Sequence, residues 1–532
     1  MRPLCHNCIL VLDSPSCGTR DFRSTWMNPI TSNSYDESPY PRVAYFLTRP
    51  TRLQSIAALH GLETAPPEGC RVLEIGCATG GNLLPLAYQY PDSSFLGIDY
   101  SKTQIELAKE GVQTLGLKNI EFKHLNILDI TVDLGKFDYI IVHGVFSWIP
   151  PEIQNKLLQV CTENLDKNGV AYISYNTKPG WHLNTWIRDA MRFGSSPEAG
   201  QEQLNQARNF LNIVVESPFL QPDLKNSLKS TINELNSKDS TYLSHEYLED
   251  FNSPIYFTEF MDQIKKHGLQ YLGDANKNLV VQDDDSPISQ AIRPVIKEYE
   301  RQEQFLDFIH NRAFRQSLIC HQSLTLDRVG LINKLEKMHV LSFLKSGPVN
   351  RDSAGRTVTL YSGPGANGIP ISDPGLSAGL SFLEESYPQP VQVRDLWNRI
   401  SNSQQPDGEA GFSGNLLQLW RMGLVELQST PDRIPINLSE KPSISAVARY
   451  LSRFGNSITC LNHTPVGIPE HFRRFLPFID GSRDIRELAA KALETQAVTV
   501  DPGLNAEGRQ RSAVASMQHF LTWCSRNALL DA

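Results

Sequence analysis

Residues 72–81, VLEIGCATGG, with FLGID at 95–99, decide how this chain folds. The Val, Leu and Ile of the first stretch read as a buried strand, and the glycine turn that follows lets backbone approach a nucleoside. Side chains there would block the ligand, so Gly76 and Gly80 keep the turn open around Cys77 and Ala78. Ala78 puts a methyl group where many dinucleotide sites have glycine, and a pyrophosphate would collide with it. Glu74 inside the strand repels phosphate as well, and no Lys-Ser/Thr pair follows the turn, which argues against a P-loop. Asp99 ends the next strand, about 20 residues on, where a carboxylate accepts hydrogen bonds from ribose hydroxyls.

Outward from this pair, short apolar runs alternate with helical patterns, as in stacked β-α units on a parallel sheet. Strands are expected at 71–76, 94–99, 120–125, 137–144 and 170–176. Ser101 with Gln104 forms a capping-box pattern before the apolar stripe Ile105, Ala108, Val112 and Leu115. Pro150 and Pro151 suit the first turn of a second helix, and Gly169 is read as its stop. The third strand ends in HLNILD, which places Asn126 and Ile127 where an amide and a backbone N–H can read an adenine edge.

The expected domains are a leader at 1–34, a nucleoside-binding core at 35–182, and a helical insertion or lid at 183–250. The core sheet is completed at 251–283 by strands LQYLGD and NLVVQ. A helical region at 284–345 follows, with 296–322 read as strongly helical, then a Gly/Pro/Ser/Asn-rich linker at 346–375. A winged-helix-like module at 376–430 and a helical or winged-helix-like module at 431–532 close the chain.

The chain has 532 residues, 40% hydrophobic and 20% charged, with no apolar run long enough to insert in a membrane. A net charge of -8 and a pI near 5.9 work against nucleic acid as a partner. The candidate recognition helix at 412–423 carries Arg421 alone among basic residues, too little to engage phosphates. Nine scattered cysteines do not suit a secreted disulfide framework, so a reduced, cytoplasmic protein is expected. The Cys5/Cys8 pair has no second pair or His cluster at zinc spacing, and no metal site is expected.

Several motifs resemble the class I methyltransferases that carry a predicted methyltransferase regulatory domain, a group that includes the rickettsial-type protein-lysine methyltransferases acting on outer-membrane proteins. They are YDESPYP (35–41), VLEIGCATGGNLLPLA (72–87), FLGIDYSKTQI (95–105), FDYIIVHGVFSWIP (137–150) and SYNTKPGWH (174–182). YLSHEYLEDFNSPIYFTEF (242–260), GLQYLGDA (268–275), RAFRQSLICH (312–321, read as a helix) and FIDGSRDIREL (478–488) extend the likeness over most of the chain. Ala78, Asn126 and Lys178 depart from residues common in relatives. The resemblance implies an α/β fold: a Rossmann-like core with a mostly parallel seven-stranded sheet, a helical insertion, a dimer-forming helical region and winged-helix-like carboxyl-terminal domains.

S-adenosyl-L-methionine, a cofactor without phosphate, fits the turn. Its expected contacts are Glu74, Gly76, Cys77, Ala78, Gly80, Asp99, Tyr100, Asn126 and Ile127, with the His143 carbonyl and Tyr35 as part of a lid with Tyr40. Methyl transfer from a sulfonium needs alignment and exclusion of water more than a nucleophilic side chain. A lysine acceptor must arrive neutral, which an aromatic, desolvated pocket favours. His143 and Trp148 after the fourth strand, with Tyr175 and Asn176 ending the fifth, are the candidate catalytic and acceptor-pocket residues, His143 as a possible base. HGVF is not the motif expected of an adenine-amino methyltransferase. The expected function is methylation of protein lysines, with a small-molecule N- or O-methyltransferase as the alternative. A third reading is a DNA-binding regulator with a vestigial core.

Overall fold

The computed structural model describes residues 36, 39–196, 201–238, 240–276, 287–292, 294–363, 365–401 and 408–531. The expected leader at 1–34, the Cys5/Cys8 pair, Tyr35 and the strand NLVVQ lie outside the described residues. Seven strands form the main sheet: β1 (Arg71–Ile75), β2 (Ser94–Asp99), β3 (Ile120–His124), β4 (Phe137–Val142), β5 (Leu165–Asn176), β6 (Leu269–Asp274) and β7 (Phe314–His321). Their order is β3-β2-β1-β4-β5-β7-β6, parallel from β3 to β5, with β7 antiparallel to both neighbours. The order reverses beside β1, so the crevice beyond its carboxyl end is where a ligand of such a sheet sits.

Local chemistry sets these elements. Val72 to Ile75 are buried, as a strand covered on both faces requires. Ser101 caps the helix Lys102–Leu115 by accepting from the Gln104 backbone N–H, and Gly116 ends it in the left-handed conformation at φ +67°. On one side of the sheet Leu53, Leu84, Phe95, Tyr139 and Tyr172 share a core, and on the other Leu73, Ile140, Ile173, Tyr175 and Phe260 share a second. The first core runs on into the carboxyl-terminal modules through Tyr450 and Leu451.

Three sequence expectations change. Gly169 does not stop a helix: the helix Pro151–Asn164 ends earlier, and Gly169 lies inside β5, where a Cβ would press on the Leu165 side chain and the Asp138 carbonyl. The stretch 296–322 is helical over Tyr299–Ile309, while 314–321, RQSLIC included, is the strand β7. Its period-2 signal is masked by buried polar residues, for Arg315 is enclosed with Asp307, Glu303 and Asp274. The interval 346–375, expected as a linker, holds an antiparallel sheet of β9 (Lys345–Arg351), β10 (Thr357–Gly363) and β11 (Ala366–Ile371). Val358, Tyr361 and Ile371 are its few buried apolar anchors, and β9 is exposed throughout, so composition alone reads as loop. The expected helical region 284–345 likewise contains β7 and β8 (His339–Ser342).

Beyond it, β8 pairs with β12 (Val391–Gln392) and β13 (Val425–Gln428) beside helices Pro374–Ser386, Val393–Ile400 and Gly408–Arg421. Arg421 is buried. The insertion consists of helices Trp181–Phe193, Gln201–Glu216 and Pro222–Asn236, then a helical turn over 240–248, around their own apolar cluster. Among the described residues no helix is long and apolar enough to cross a membrane.

Candidate active site

A cavity of about 880 Å³ opens at the carboxyl ends of β1, β2 and β4. Its first wall is the glycine turn. Gly76 (φ +78°) and Gly80 (φ +75°) adopt conformations that side chains resist, and a Cβ on Gly76 would lie 2.4 Å from the Val145 side chain. Ala78 takes φ +46° without being glycine. Its N–H donates to Asp99 Oδ2 at 2.8 Å, and the Ser101 N–H donates to Oδ1 at 2.8 Å, so Asp99 ties the turn to the end of β2. Asp36 stands close by, accepting from the Ser101 hydroxyl at 2.6 Å, and burial raises the Asp99 carboxyl above its usual range.

Glu74 is buried at this wall. Its Oε1 accepts from Asn82 Nδ2 at 2.8 Å, while its Oε2 has no partner, and burial pushes it up to about 8. A buried carboxyl with an orphaned oxygen in a cavity wall suits a cationic group, and the phosphate-free cradle of Gly76, Cys77, Ala78 and Thr79 suits a nucleoside; S-adenosylmethionine has both. Cys77, Tyr100, Asn126 and Ile127 also line the cavity, and Asn126 Oδ1 accepts from the Leu128 N–H to shape its loop.

The opposite wall is made of side chains. Trp148 and Asn176 reach it, Trp181, Tyr242, Glu246 and Tyr247 join them from the insertion, and Glu249, Asp250 and Phe251 from the segment after it. Trp181 Nε1 has no hydrogen-bond partner. Glu246 faces Asn176 and is raised to about 7 by burial, against the pull of Arg188 and of Asn176.

Two expected residues do not line the cavity. Gly80 turns away from it, where a Cβ would meet the Phe122 and Ala108 side chains. Tyr175 does not line the cavity: strand alternation sends Tyr172, Ser174 and Asn176 to one face and Tyr175 to the other. There its hydroxyl lies 3.0 Å from Ser317 Oγ, and its ring packs on Phe260 at 4.3 Å between centroids. His143 lines the cavity, and burial lowers its ring to about 4, so it stands neutral there. Gln316 Nε2 donates to the Tyr172 hydroxyl at 2.8 Å, and that hydroxyl lies 2.9 Å from His143 Nδ1.

A strap at 40–45 closes the cavity, carrying Tyr40, expected as part of a lid, and Tyr45, which was not expected there. Tyr40 and Tyr45 line the cavity, the Tyr45 ring lies 3.8 Å from His143, and the Tyr40 ring stacks on His245 at 4.7 Å. Gly81 is the sequence signal for this approach, because a Cβ there would sit 2.5 Å from the Val43 backbone nitrogen. Asn82, which accepts from the Tyr45 N–H at 2.9 Å, has no comparable signal.

Residues 67–235 match the model of a methyltransferase domain, and residues 239–321 match that of a predicted methyltransferase regulatory domain. The chain is 34% identical to the uncharacterized protein RP789 of Rickettsia prowazekii over 466 residues, 85% of this chain and 84% of that protein. It is 40% identical to RP028 of the same organism over 247 residues, 45% of this chain and 96% of that protein. Among solved structures it resembles PKMT2 from Rickettsia typhi in complex with AdoHcy, with TM-score 0.80 and 29% identity over 92% of this chain and 100% of that one.

Proposed function

We propose, from the premise that this chain belongs to the class I S-adenosylmethionine-dependent methyltransferases carrying the predicted methyltransferase regulatory domain, that its acceptor is a lysine side chain of a protein. The observation that carries this reading is the wall facing the glycine turn, where Trp148, Trp181 and Tyr247 stand with Glu246, Glu249 and Asp250. Aromatic faces and carboxylates together attract an alkylammonium, and a dry pocket lowers its pKa towards the neutral amine that reacts. Likeness to PKMT2 and to the motifs of rickettsial-type protein-lysine methyltransferases supports the same acceptor.

When bound, S-adenosylmethionine supplies a methyl group activated by its sulfonium. Asp99 and the turn at 76–80 hold the nucleoside, with Tyr100, Asn126 and Ile127 around it. Tyr40 and Tyr45 limit the entry of water from the strap. Glu246 accepts the proton that the acceptor ammonium sheds, and a carboxyl raised to about 7 is a far better base than an ordinary one. Asn176 orients that carboxyl. His143, neutral, shares a hydrogen bond between Nδ1 and the Tyr172 hydroxyl and steadies that side of the site. The expected homodimer belongs to the same reading, with Phe193, Ile213 and Phe219 exposed on the insertion as the apolar residues a second copy would cover.

Incubating the full chain with isotopically labelled S-adenosylmethionine and a bacterial protein extract tests the acceptor. Labelled methyl-lysine in proteins, located by mass spectrometry, is expected. Label confined to metabolites would instead give the small-molecule reading.

A further inference from the structure

A side chain of the carboxyl-terminal region, His463, reaches Asn82 at the cofactor site. The strands β14 (Ser457–Thr459) and β15 (Pro465–Gly467) pair as a hairpin, and His463 in its turn holds φ +62°. A non-glycine residue keeps that left-handed conformation only where its surroundings enforce it. His463 is buried, and its Nε2 lies 2.8 Å from Asn82 Oδ1, 381 residues away in the chain.

The hydrogen bonds fix every proton in this contact. The Tyr45 backbone N–H can only donate, and it meets Asn82 Oδ1 at 2.9 Å, so the amide oxygen faces Tyr45 and His463 while Nδ2 faces Glu74. His463 must then donate from Nε2, which leaves Nδ1 bare, and Nδ1 indeed has no partner. Burial and the nearby Arg49 guanidinium, itself paired with Asp432 at 2.8 Å, keep the ring neutral. Among the described residues the titratable groups around Glu74 are Asp99, Tyr45 and Cys77.

We propose that His463 is a positioning residue for the cofactor: from the carboxyl-terminal hairpin it fixes the Asn82 amide, and Asn82 holds the Glu74 carboxyl for a cationic group of S-adenosylmethionine. The distal module is thereby part of the cofactor site, and by linkage whatever displaces the hairpin weakens cofactor binding. This holds whichever acceptor is methylated.

Calorimetry with S-adenosylhomocysteine on the full chain tests it. His463→Asn suits the purpose, because asparagine tolerates the left-handed turn but is too short to reach Asn82. Its Kd is expected to rise about tenfold. The pH profile of binding should also move upward, since Glu74 loses an ordered donor and holds its proton more tightly. His463→Gln restores an N–H near the Nε2 position and should recover both. Parental affinity and pH profile in His463→Asn, or no recovery in His463→Gln, would overturn the proposal. Should His463→Asn lose cooperative unfolding, histidine ¹⁵N NMR of the unaltered protein decides. An Nε2–H ring that responds to S-adenosylhomocysteine supports the proposal, and an Nδ1–H ring or an unresponsive one overturns it.

Discussion

The two walls of the cavity are built on opposite plans. The cofactor wall is mostly backbone from one continuous stretch, β1 to the end of β3, with Asp99 joining its turn to the next strand. The acceptor wall is side chains brought from the loops after β4 and β5, from the insertion and from 249–251. A backbone cradle recognises what all members of such a family share, whereas a side-chain wall can change its acceptor without disturbing the cradle.

The largest expected effect attacks the cradle. Asp99→Ala removes the ribose acceptor and frees the Ala78 N–H, so S-adenosylhomocysteine affinity should fall roughly a thousandfold by calorimetry. Near-parental affinity would remove Asp99 from the site. Attacking the other wall separates the two plans. Glu246→Gln should lower turnover about a hundredfold, read with a methyl-accepting protein, while leaving S-adenosylhomocysteine affinity unchanged. Equal losses in both readouts would mean that the walls are not independent.

A smaller effect concerns protons. Glu74, raised to about 8 by burial, is mostly protonated at neutral pH in the free protein. A cationic ligand group favours its carboxylate, so affinity should climb as pH rises towards about 8 and then level off, with a proton released on binding at neutral pH. Binding heats that do not vary with buffer ionisation enthalpy at neutral pH would contradict this. The smallest effect is Tyr175→Phe, which loses one buried hydrogen bond to Ser317. It should cost about 1 kcal/mol in chemical unfolding and leave turnover intact. A large loss of turnover would return Tyr175 to the acceptor wall.

The cofactor wall was legible because its requirements are local. Gly76, Gly80 and Asp99 stand at spacings that one β-α-β unit imposes, and no distant residue is needed to read them. Tyr175 was misplaced because a polar aromatic at a strand end has two faces to choose from, and the sheet's register makes the choice. β7 was read as helix since Arg315 is a surface residue by type, and its buried partners lie on two other segments, Asp274 at the end of β6 and Glu303 and Asp307 on the helix Tyr299–Ile309. Glu246 lay in a motif that resembles the regulatory segment, yet nothing near it in sequence marks it as facing Asn176.

By itself the sequence determined the Rossmann-like class, the phosphate-free nucleoside site and the helical insertion, since periodicity, turn chemistry and short-range spacing are properties of neighbouring residues. Tertiary structure alone decided which face of β5 meets the acceptor, that residues 314–321 join the sheet, and that His463 reaches Asn82. Each of these depends on a partner far away in the chain, and a buried polar group reveals its role only through the partner that satisfies it.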